Sequence, residues 1–161
     1  MDSQVFTLFH VAISLVGILS GLIVAYGLVT DRTMPVLTAI FLATTIATSV
    51  TGFFFHRDHI LPSHILGILS LALLAPASYA LYLQNLRRGW RGVYIVGAVT
   101  GLYFNVFVLI IQSFQKIPPL HALAPTQSTE PAFAASQGVA LLLFIAIGVV
   151  AFRRFRPVIF S

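Results

Sequence analysis

Five stretches of the chain, 5–29, 35–55, 60–83, 93–114 and 132–152, run without a single Lys, Arg, Asp or Glu. Each is as long as the roughly 20 apolar residues that a helix needs to cross a hydrocarbon core about 30 Å thick. The breaks between them are polar: Asp31 and Arg32, then Arg57 and Asp58, then Arg87, Arg88 and Arg91, then the segment 115–130. Pro35, Pro62 and Pro131 stand at the starts of three runs, where a first-turn proline costs no hydrogen bond, and Thr33 and Thr129 fall near candidate caps. The pattern therefore predicts an all-α, polytopic membrane protein, a bundle of five transmembrane helices forming one domain over 1–161.

Composition supports this reading and removes alternatives. Of 161 residues, 58% are hydrophobic and 8% charged, and the mean hydropathy is +0.98. A soluble domain carries about 25% charged residues. With no cysteine in the chain, thiol chemistry and disulfide scaffolds are excluded.

Charge sets the expected orientation. Arg32, Arg87, Arg88, Arg91, Arg153, Arg154 and Arg156 fall on one side of the predicted bundle, and Arg57 and Lys116 on the other. Cytoplasmic loops retain basic residues, so the N-terminus is expected outside and the C-terminus in the cytoplasm. Residues 1–4 contain no basic side chain, so the first run reads as a retained helix rather than a cleaved signal. Tyr82, Trp90 and Tyr94 are expected in the inner aromatic belt. This sidedness accounts for the basic pI near 10.3, so no nucleic-acid partner is expected. The bilayer itself, other membrane subunits or further copies of the chain are the expected partners. Segment 115–130 is expected either to rest on the membrane surface or to fold back as a lid, stiffened by its prolines.

All five histidines fall at the outer side: His10, His56, His59, His64 and His121. On the first helix His10, Ser14, Gly17 and Gly21 share a face that is expected to look inward, and Thr45, Ser49, Gly52 and His56 repeat the arrangement on the second. Small residues with Ser and Thr are also the ordinary means by which membrane helices pack, and a buried Asn or Gln serves as interhelical glue. Ionisable side chains within a membrane span point more directly to function.

Three chemistries fit such a layer. Neutral imidazole ligates metals, His56 and His59 have one-turn spacing, and histidines from separate helices can provide axial ligands to haem. The expected metal ligands are His10, His56, His59, His64 and His121. For a cofactor such as haem b the expected residues are His10, His56 and His64, with Gln112 and Gln137 orienting the imidazoles. Solute or proton movement is disfavoured, because the inner halves of the helices carry no charge. A lipid-directed hydrolysis would draw on Ser14 near His10, or on a histidine-bound water with Asp58 or Glu130. No catalytic residue follows from the pattern.

The stretch 105–116, with Asn105, Gln112, Gln115 and Lys116, and the stretch 120–127, with His121, Pro125 and Gln127, resemble small uncharacterised bacterial multi-pass membrane proteins. The resemblance implies a bacterial inner-membrane protein and carries no activity and no site residue. The expectation is thus a small membrane protein with an outer histidine site for a metal ion or haem, in redox or metal-handling work. The alternatives are a non-catalytic accessory or assembly subunit of a membrane complex and a small-solute or ion transporter.

Overall fold

The computed structural model describes residues 4–55, 62–127 and 130–157, and among these there is no strand. The helices are α1 (Gln4–Val29), α2 (Pro35–Gly52), α3 (Pro62–Tyr82), α4 (Trp90–Lys116), α5 (Pro118–Leu123) and α6 (Pro131–Arg154). All but α5 are long and apolar enough to cross a membrane, as the uncharged runs predict.

The ends of the helices have local causes. Asp31 takes a left-handed conformation with φ 57°, and the Arg32 N–H returns to the Gly27 carbonyl at 2.8 Å, which closes α1 in a Schellman arrangement. The cap of α2 is Met34 rather than Thr33, and that of α6 is Glu130; neither makes a side-chain cap bond, while Thr129 lies outside the described residues. Helix α2 stops at Gly52, three residues before the end of its apolar run, and Phe53–Phe55 turn away from the axis. Helix α4 is longer than expected at both ends, taking in Trp90, Arg91 and Lys116. The prolines of segment 115–130 do more than stiffen it. Pro118 and Pro119 occupy the first turn of α5, where their missing N–H groups are not needed.

Helix α4 is the hub, packing against α1, α2, α3 and α6. Glycines permit the closest approaches. A Cβ on Gly97 would stand 2.7 Å from the Leu73 carbonyl oxygen and 2.6 Å from the Ala77 Cβ, so α3 and α4 touch backbone to side chain there. A Cβ on Gly21 would meet Leu102 at 2.6 Å and Phe41 at 2.8 Å, which marks the junction of α1, α2 and α4. Gly17 and Gly21 are buried, so the small-residue face of α1 looks inward.

Three arginine-bearing segments meet at one end of the bundle. The Arg91 guanidinium donates from Nη1 to the carbonyls of Phe152 (2.9 Å) and Phe155 (2.6 Å), satisfying acceptors at the end of α6. The Arg156 N–H donates to Asp31 Oδ1 at 2.7 Å, so the C-terminal segment is clasped to the α1–α2 turn. Tyr94 does not join an interfacial belt at this end. It is 3% exposed and packs on Phe155 within the core, whereas Tyr82 is exposed and Trp90 meets the Tyr79 ring edge-on at 5.1 Å.

The apolar core is concentrated towards this same end. Val24, Leu28, Phe41, Leu74, Ala77, Ile95, Ala98 and Leu102 form it, and their helices present the rest of their apolar surface outwards, as with Leu142 and Val139 on α6. In a bilayer those outward side chains meet lipid.

Candidate functional site

The opposite end gathers aromatic and polar side chains from α1, α2 and α3. His10, half-buried on α1, places Nδ1 2.8 Å from Thr51 Oγ1 near the end of α2. The Thr51 hydroxyl donates its one proton to the Ala47 carbonyl at 2.7 Å, with the Thr48 carbonyl at 3.2 Å. With that proton on the backbone, Thr51 Oγ1 is free to accept from His10 Nδ1, an arrangement that would leave the Nε2 lone pair open. The ring is steadied by Phe55, which it meets edge-on at 5.0 Å, and Phe55 leans on Phe6. A Cβ at Gly52 would lie 3.9 Å from His10 Cε1, an ordinary contact, so a side chain there would pack against the ring without displacing it.

His64, at the start of α3, stacks on Phe53 with centroids 5.8 Å apart and planes 13° from parallel. One turn on, Gly67 lets the Phe53 ring reach α3, since a Cβ there would come within 3.2 Å of it. Phe53 and Phe55, from the turn after α2, thus hold the two histidines. Neither aromatic, nor Thr51, is picked out by reasoning on titratable residues alone. The signal in the sequence is the Phe53-Phe54-Phe55 run directly before His56.

His56 and His59 lie outside the described residues, as do Arg57 and Asp58. His121 sits elsewhere, on α5, with Nδ1 3.3 Å from the Phe114 carbonyl. Among the described residues no three His, Asp or Glu side chains converge as a metal site. Gln112 is exposed on α4, and Gln137 donates to the Phe107 carbonyl at 3.2 Å while its Oε1 is buried without a partner. Among the described residues neither glutamine is bonded to a histidine.

From His10 a thread of hydroxyls runs inward. Ser14 donates to the His10 carbonyl at 2.7 Å and lies 3.3 Å from Thr48 Oγ1, and Asn105 donates to Thr45 Oγ1 at 3.2 Å. The Ser14 proton goes to the His10 backbone and not to its ring, so the two do not form a nucleophile and base pair. Thr45 is fully buried, and further towards the arginine end Ser20 and Thr38 are buried polar side chains in an otherwise apolar core.

The described residues of segment 115–130 pack on α4. Helix α5 packs on the end of α4, Ala124 is buried there, and Gln127 donates to the Ile111 carbonyl at 3.2 Å. Ile117 and Leu123 are exposed, as suits side chains resting at a membrane interface.

Two cavities stand out, one of about 150 Å³ at the arginine-rich end and a lateral groove of about 440 Å³ between α4 and α6, and neither is lined by a histidine. Comparison of the chain with known protein families, with characterised proteins and with solved structures finds no match to any of them.

Proposed function

We propose that the ends of α1, α2 and α3 hold a histidine site for a transition-metal ion, in redox or metal-handling work at the outer face of a bacterial inner membrane. The observation that carries this reading is the contact of His10 Nδ1 with Thr51 Oγ1 at 2.8 Å. With the Thr51 proton on Ala47, the imidazole would donate from Nδ1 and offer Nε2 as the unprotonated nitrogen that a metal requires, the arrangement that orienting partners commonly impose on ligating imidazoles. His64, stacked on the neighbouring Phe53, is the second donor in this proposal. His56 and His59, which follow Phe55 closely in the chain, supply the remainder. A small ion is favoured over haem, because neither cavity offers a slot beside a histidine. The outward placement of this end rests on the arginine surplus at the other.

The test is elemental analysis of protein purified without chelators. Stoichiometric transition metal is expected, lost in His10→Ala and bound about tenfold more weakly in Thr51→Val, where the orienting acceptor is gone. A wild-type protein with neither stoichiometric metal nor a Soret band would end this reading.

A second reading, an accessory subunit of a membrane complex, draws on the open apolar groove between α4 and α6. Co-purification with a larger partner in mild detergent is its expected sign. A transporter is the weaker proposal, since the membrane-spanning runs carry no charged side chain in their inner halves.

A further inference from the structure

The cavity at the arginine-rich end is independent of the histidines. Its volume is about 150 Å³, its buried floor includes Leu28, Thr38, Tyr94 and Phe155, and its exposed mouth includes Arg32 and Tyr82. Apolar cavities of about this size stay dry and accept small hydrocarbon groups. The mouth differs in kind from the floor, because Arg32 lines it, while the other arginines of this end belong to the segments around it. Arg91 is committed to the α6 carbonyls, whereas Arg32 is exposed at the opening.

A largely apolar hole with an arginine at its mouth, at a helix-bundle end, complements an amphiphile with a hydrocarbon tail and an anionic head. We propose that this cavity seats an acyl-chain segment of an anionic phospholipid from the surrounding bilayer, with the lipid phosphate against Arg32. The two chemistries are coupled: the tail fills a space that water would occupy at a cost, and the head neutralises the arginine nearest to it.

The test is native mass spectrometry of the full chain, extracted from nanodiscs containing equal amounts of phosphatidylglycerol and phosphatidylcholine with identical acyl chains. Bound phosphatidylglycerol is expected to exceed phosphatidylcholine by about fivefold, the factor that one arginine near an anionic lipid contributes. The preference should fall to parity in Arg32→Gln and persist in Arg32→Lys and in Arg153→Gln, all at exposed positions where folding is spared. Inorganic phosphate added in competition should leave the lipid bound. Parity in the wild type, equal losses in Arg32→Gln and Arg153→Gln, or displacement by phosphate alone would each overturn the proposal, the last two by reducing it to diffuse attraction or to an anion site.

Discussion

Gly97 shows how much a single hydrogen in place of a methyl can decide. Its neighbours are the Leu73 carbonyl and the Ala77 Cβ, neither of which can rotate away, so Gly97→Ala must push α3 and α4 apart. Overpacking of this kind costs about 1–3 kcal/mol. Gly138 on α6 faces open space, with no atom within 4 Å of where a Cβ would stand, and Gly138→Ala should be neutral or slightly stabilising. Thermal denaturation in one detergent checks the pair. An equal response at the two positions would mean that the α3–α4 contact is not as close as described.

At the scale of the element, one polar contact that joins α2 and α4 is Asn105 donating to the fully buried Thr45 hydroxyl. Such interhelical bonds average well below their strength in vacuum, about 0.6–1.7 kcal/mol. A double-mutant cycle of Asn105→Leu and Thr45→Val should return a coupling of about that size, and an additive cycle would mean the contact contributes nothing. The helices themselves are legible as uncharged runs, because the hydrocarbon core imposes a length and forbids charge. Which face of each run packs inward is harder to read. In a bilayer the core and the lipid are equally apolar, so hydropathy does not separate Leu74, fully buried, from Leu69 on the same helix and Leu83 just beyond it, both exposed. Glycine spacing on α1 is the better guide, and it points correctly to Gly17 and Gly21. The position of Tyr94 departs from expectation because nearness to an interface in sequence does not say which way a ring turns. Helix α5 escapes the pattern because a Pro-Pro pair reads as a break, although at a first turn it is a start. At the candidate site the histidines are visible as residue types, but the Thr51 contact of His10 and the aromatic supports of His10 and His64 depend on contacts between α1, α2 and α3 that no spacing encodes.

For the whole molecule, orientation is the quantity on which the proposed outer site depends. Single cysteines at Thr33 and Thr126, both exposed and at opposite ends of the bundle, allow a direct measurement with a membrane-impermeant thiol reagent on intact cells. Thr126→Cys should label and Thr33→Cys should not; the reverse would move the histidines to the cytoplasm. The uneven distribution of the core has a consequence of its own. The arginine end is interlocked by Leu28, Leu74, Ile95 and Phe155 and clasped by Arg91, while among the described residues α1 and α2 are joined at the histidine end by hydroxyl bonds and aromatic edges. Local opening follows the weakest packing. In hydrogen–deuterium exchange the amides of 6–12 and 47–52 should therefore exchange before those of 24–28 and 94–102. The bundle would behave as tongs: a pinned hinge at one end, and at the other a pair of jaws that breathe around whatever they grip.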